Sequence, residues 1–310
     1  MIASLLSYAL VGTEPVKLAN LQPRLNIVAK GFQGRLGYQV TLLETGEIIG
    51  YRNKERYPSA STIKTVIMLE AFRQIERGDL KWDEKLDVPP LGKRNSSMWT
   101  AHLLEGSKIN IDGLIHLMMN VSDNTATVML SDRVGINNIE KLMLSWGLND
   151  TACTINTSKE DNLRLYRLRQ SFLNMGVTSP SDMSMIMQKI YHKQASSPAA
   201  CEKMMRIMSH QYWDDFIAHS VPPNVVVAAK VGALNRSRSD SAIVFGPRPY
   251  ILTIYTDNQK DQRWISDNEG DETIRKISSL VWNFINPQIP YQPPKDAKRW
   301  FPTGGGVEGS

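Results

Sequence analysis

Ser61-Thr62-Ile63-Lys64 sets a hydroxyl and an amine three residues apart, and on a helix that spacing puts both on one face. A neutral Lys beside a Ser can take its proton and turn a weak nucleophile into one that acylates. The following residues favour the neutral form. Ile63, Val66, Ile67, Met68, Leu69, Phe72 and Ile75 make this helix apolar on nearly every side, so it belongs in an interior. Burial there lowers a Lys pKa. No other Ser-x-x-Lys occurs in the chain. Standing alone, the string is also what a solvated pair at a helix start looks like.

Two further strings carry chemistry. Ser122-Asp123-Asn124 falls between two apolar helical segments, where a short polar triplet is out of place unless it lines a cavity. Its alternative is a cap, with Ser122 or Asp123 satisfying the first amides of the next helix. The same triplet recurs at Ser266-Asp267-Asn268 in a polar loop, which shows how common the string is. Lys230-Val231-Gly232-Ala233 directly follows a strand expected over 225–229. Gly two residues after a Lys lets a ligand approach the backbone closely, whereas an edge-strand Lys can simply discourage aggregation.

Composition excludes several classes. Of 310 residues, 42% are hydrophobic and 22% charged, which is ordinary for a globular protein and unlike a disordered chain. The net charge of +5 is small and its basic residues are scattered, so a nucleic-acid partner is not expected. Two cysteines, Cys153 and Cys201, allow one bridge at most, so disulfides do not build the fold. His192, His210 and His219 show no ligand spacing, and neither a metal nor a cofactor is expected. No apolar run is long enough to span a bilayer. Residues 1–12 are apolar like the centre of an export leader but lack a preceding Lys or Arg, leaving a leader or a plain N-terminal extension.

The elements that must position these residues follow from periodicity. Leu18, Leu21, Leu25 and Val28 recur at helical spacing, with Pro23 either in the first turn or dividing the segment. Residues 38–43 and 47–51 read as a β-hairpin around Glu44-Thr45-Gly46. From Ser61 to His210 the pattern is helical, and Ser179-Pro180-Ser181-Asp182 reads as a capped helix start. Strand signals return at 225–229, 242–245 and 250–256, and Ile274, Ile277, Leu280, Val281 and Phe284 mark a closing helix. The economical packing is an α/β (α+β) fold: one five-stranded antiparallel sheet from both chain ends, flanked by the terminal helices, beside an all-α lobe, with the active-site cleft between them. The expected division is 1–16 as leader or extension, 17–60 with 211–290 as the sheet domain, 61–210 as the all-α domain and 291–310 as a Gly-rich tail.

Together the three strings, in this order, resemble the S-x-x-K, S-D-N and K-T-G motifs of class A β-lactamases and penicillin-binding proteins. Their spacing suits class A better than the larger peptidases, and the similarity runs from about Leu18 to Asn286. The resemblance implies that Ser61 is acylated, with Lys64 as its base. Ser122 would pass a proton to the leaving nitrogen, while Asn124 positions substrate and Lys64. Lys230 would lend positive charge to a substrate carboxylate. The amides of Ser61 and Ala233 would form the oxyanion hole, beside Gly232. Arg238 is then either a second carboxylate anchor or a solvent-facing strand Arg, and Trp99 either walls the cleft or packs in the core.

Two departures bear on activity. Val231 replaces the usual Thr and removes a hydroxyl that would contact a substrate carboxylate. The deacylating carboxylate falls on Glu160, in Glu160-Asp161-Asn162-Leu163-Arg164, with Asp161 as the substitute and a solvated acidic loop as the alternative. The expectation is a monomeric, periplasmic or secreted serine hydrolase that opens β-lactams. Alternatives are an esterase, amidase or D-aminoacyl peptidase on the same machinery, or a β-lactam-binding module that acylates and stalls.

Overall fold

A computed structural model describes residues 16–91, 99–172 and 175–294; the leader reading of 1–12 and most of the tail lie outside them. After a short 3-10 turn come α1 (Gln22–Gly31), with Pro23 in its first turn, then β1 (Arg35–Leu42), β2 (Ile48–Tyr51) and β3 (Tyr57–Pro58). The middle of the chain forms α2 (Lys64–Arg77), β4 (Lys85–Asp87), β5 (Lys108–Asn110), α3 (Ile111–Asn120), α4 (Asn124–Val134), α5 (Ile136–Ser145), β6 (Ala152–Cys153), α6 (Leu163–Phe172), β7 (Gly176–Thr178), α7 (Pro180–Tyr191) and α8 (Pro198–Met208). The chain closes through β8 (Val227–Leu234), β9 (Ser237–Val244), β10 (Tyr250–Asp257) and α9 (Glu269–Ile285).

The main sheet has five strands in the order β2-β1-β10-β9-β8, every neighbouring pair antiparallel. Strands from both chain ends therefore meet at its centre, and β8 is a free edge. Helices cover both faces. One face carries Leu252, Ile254 and Val244 against α1 and α9, where Leu25, Ile277 and Trp282 are fully buried. The other carries Ala228, Ile243, Ile251 and Tyr255 into a core shared with α2, α3, α7 and α8. Because both faces are buried, β9 and β10 are buried almost end to end.

Helix ends follow the sequence. Ser179 Oγ accepts from the Asp182 amide at 3.1 Å, with Pro180 opening α7. Gly78, at φ 81°, closes α2 in the left-handed conformation that glycine adopts freely.

Two expectations need correction. The segment 61–210 is not wholly α: β4 pairs with β5, and β7 pairs with both β3 and β6 in a second small sheet. Strands of two or three residues are too short to show alternation. The second concerns the late strands. β8 extends through Lys230 to Leu234 rather than ending at 229, and β9 starts at Ser237 rather than 242. The polar string Ser237-Arg238-Ser239-Asp240-Ser241 is entirely buried strand, with the three serine hydroxyls bonded to Thr256, Gly232 and Tyr255 of the same sheet.

Candidate active site

Ser61 sits in a 3-10 turn, Ala60–Ile63, that feeds directly into α2. The preceding Ala60 has φ 45°, a left-handed conformation that costs a non-glycine residue about 1–3 kcal/mol and persists only where the surroundings enforce it. A buried chain of hydroxyls backs this turn. Tyr255 Oη donates to Thr62 Oγ1 at 3.0 Å and lies 2.8 Å from Ser241 Oγ, tying the turn to β9 and β10.

Lys64, the first residue of α2, is completely buried. Its Nζ lies 2.6 Å from Ser122 O, 3.0 Å from Ser122 Oγ and 2.9 Å from Asn124 Oδ1. An ammonium would donate to all three, while a neutral amine donates to two and keeps a lone pair for a proton. Burial above all, then the charge of Lys230, pushes the Lys64 pKa well below its ordinary value; Asp123 opposes them.

The Ser-Asp-Asn string divides its labour. Asp123 is the cap that sequence allowed: Oδ1 accepts from the Ala126 amide at 2.8 Å and opens α4. The same carboxylate takes the Thr100 amide at 2.9 Å and its hydroxyl at 2.7 Å. Ser122, with φ 63°, is the other left-handed residue at the site, and that backbone delivers both its carbonyl and its hydroxyl to Lys64. Trp99 adjoins the Thr100 anchor and is 43% exposed, outside every core cluster, so it does not pack in the interior.

On β8, side chains alternate. Lys230 and Gly232 face the Ser61 turn, while Val231 lies in the core under the terminal helices. A Cβ on Gly232 would stand 2.9 Å from Ser61 N and 2.8 Å from Ala60 Cβ. The glycine is therefore required by the protein's own nucleophile turn rather than by a ligand. Ala233 pairs with Arg238, whose amide and carbonyl both bond Thr256 Oγ1 on the β10 side. Across an antiparallel ladder that makes a non-hydrogen-bonded pair, so the Ala233 N–H points to the free edge beside Ser61. Lys230 is fully buried, and burial lowers its pKa to about 7 against the opposing charge of Asp240.

Three expected site residues fall elsewhere. Arg238 is 2% exposed and belongs to the face covered by α9. Its Nε pairs with Asp271 at 2.9 Å, its guanidinium donates to the carbonyls of Leu234, Ser237 and Arg263, and it stacks over Trp264. It is neither a carboxylate anchor nor a solvent-facing Arg, because the β8–β9 register turns it away from Ser61. Glu160 is exposed in the turn before α6, and so is Asp161, bonded to Ser158. The loop is held instead by Arg164 on Glu140, Asn162 on Asn137 and Arg169 on Thr157. Among the described residues, no carboxylate oxygen is a hydrogen-bond partner of Lys64. Val231 faces Asp240 directly across the ladder. Sequence reasoning missed Asp240 and the Tyr255–Ser241–Thr62 chain; the only signal was the polar run Ser237–Ser241 leading into Ala242-Ile243-Val244.

Comparisons with known proteins agree with this geometry. Residues 20–285 match the profile of the "Beta-lactamase enzyme family". The curated β-lactamase SME-1 of Serratia marcescens is 23% identical over 280 residues, spanning 82% of this chain and 85% of that one. A solved β-lactamase from Sphaerobacter thermophilus superposes with a TM-score of 0.76 at 20% identity, covering 89% of this chain and 100% of that one. PBP-A superposes with a TM-score of 0.75 at 24% identity, covering 88% of this chain and 98% of that one. A mutant of PBP-A has been solved as its acyl-enzyme complex with penicillin G. At these identities the structural likeness carries the fold.

Proposed function

Because the chain belongs to the β-lactamase enzyme family, we propose that it is a serine hydrolase that opens β-lactam amide bonds through an acyl-enzyme on Ser61. The observation that carries this reading is the buried Lys64 amine, depressed in pKa and held against Ser122 and Asn124. Neutral Lys64 takes the Ser61 proton, and Oγ attacks the carbonyl carbon. The oxyanion forms between the Ser61 and Ala233 amides, each such donor contributing roughly 3–4 kcal/mol in comparable sites. As the C–N bond breaks, the Ser122 hydroxyl protonates the nitrogen and is itself reprotonated by the Lys64 ammonium. Lys64 ends neutral, and the acyl group rests on Ser61.

The exposure of Glu160 supports the second reading, a protein that acylates and stalls, since water would lack a buried carboxylate base. The burial of Arg238 supports a third, an esterase or amidase on neutral acyl groups, since it removes one of the two expected partners of a substrate carboxylate and leaves Lys230. We assign the protein to an exported, monomeric form acting on small molecules. Among the described residues, no helix is long and apolar enough to cross a membrane.

Intact-mass spectrometry with a chromogenic cephalosporin separates the readings. Colour with transient adduct means turnover. A persistent adduct means stalling, and an unmodified protein that still cleaves p-nitrophenyl esters means the third reading.

A further inference from the structure

Asp240 is 1% exposed, and its two carboxylate oxygens are treated differently. Oδ2 accepts from the Ile217 amide at 3.0 Å, whereas Oδ1 has no hydrogen-bond partner. Asp240 is among the residues lining a cavity of about 590 Å³ on the face of β8 away from Ser61, its Oδ1 buried in the cavity wall. That size suits a small organic molecule. Its walls are mixed: Val221, Val225, Val227, Val231 and the Trp213 indole supply apolar surface beside the polar groups of Gln211, Asp214, Asp215 and Asn224. Trp213 is fixed by its N–H bond to Val121 O at 3.2 Å.

The charges around this cavity favour a cation. Asp214 and Asp215 line it with Asp240, alongside His210 and His219, and no Lys or Arg is among its described lining residues. Arg275 backs Asp215 from α9 by donating to its carbonyl oxygen at 3.0 Å, and the charge of Lys230, on the opposite face of β8, partly offsets the burial that raises the Asp240 pKa. A buried carboxylate oxygen without a partner is costly, and an ammonium group delivered with an apolar body would remove that cost. We propose that this cavity binds a small organic ammonium ion, with Asp240 as its counter-ion and the valine and Trp213 walls holding its apolar body. The site is separate from Ser61, so it stands whether or not the acyl-enzyme reading does.

The test is calorimetric titration of the full chain with 2-phenylethylammonium and with its neutral isostere 2-phenylethanol. The expected result is saturable binding of the ammonium, at least tenfold weaker for the alcohol. Asp240→Asn keeps the acceptor for the Ile217 amide and should weaken ammonium binding at least tenfold, while Ser61→Ala should leave it unchanged. Equal binding of ammonium and alcohol, or no saturable ammonium binding because water alone fills the cavity, overturns the proposal. The isostere comparison needs only the natural chain, so it decides the matter even if Asp240→Asn does not fold.

Discussion

The Lys64 amine lies 2.6 Å from the carbonyl oxygen of Ser122, and Ser122 can present that oxygen because its own backbone is left-handed, at φ 63°. Strain in one loop thus fixes the proton-accepting group of another element. With Ala60 also left-handed, both sides of the proton path are held by backbone conformations that their residue types disfavour.

Acylation should therefore depend on neutral Lys64. Because its pKa lies well below the ordinary Lys value, the acylation rate should rise with pH and level off before the range where a free Lys titrates. Lys64→Met should slow acylation about 10²–10⁴-fold, the usual worth of a general base. Stopped-flow acylation against pH checks both; a flat profile in the natural protein would assign the proton to another group.

Lys230 should give the opposite pH trend in binding. Its charge is present below a pKa of about 7 and lost above it. KM for a carboxylate-bearing cephalosporin should accordingly rise from pH 6 to pH 8.5, and KM for an uncharged ester should not. Parallel KM profiles for the two substrates would show that Lys230 does not meet the carboxylate.

Gly232→Ala tests the contact between β8 and the nucleophile turn. The added methyl would meet Ser61 N and Ala60 Cβ at under 3 Å, forcing the strand edge away. The Ala233 amide moves with it, so kcat should fall about 10²-fold, the cost of one oxyanion donor. Unchanged kcat, measured with any substrate turned over, would mean the oxyanion is bound elsewhere.

Glu160→Gln should leave both acylation and release at the natural rate, because Glu160 is exposed and lacks a partner that would aim it at the ester. The check is the decay of the adduct mass after excess substrate is removed. An adduct trapped only in the variant would restore Glu160 as the base for water.

The three strings around Ser61, Ser122 and Lys230 were legible through their order and surroundings, since each alone also fits an ordinary cap, solvated pair or edge strand. Their order implied a sheet closed from both chain ends, which strand periodicity supported independently. What could not be read depends on register and packing. Arg238 has the right type and approximate place for an anion contact, yet the length of the β8–β9 turn decides which face it takes. Glu160 sits in a plausible string, but the loop's direction is set by Arg164 gripping Glu140, a pairing between residues 24 apart. Ser237–Ser241 hides a strand because its serine hydroxyls are satisfied by neighbours that only the folded sheet supplies. Positive φ at Ala60 and Ser122 leaves no mark on composition at all.

The central claim is that Ser61 is the acylated residue. Peptide mapping by mass spectrometry after incubation with a β-lactam tests it most directly. The account predicts one acyl group, on the peptide containing Ser61, and no adduct in Ser61→Ala. An adduct on any other residue, or one that forms at the natural rate in Ser61→Ala, would contradict it.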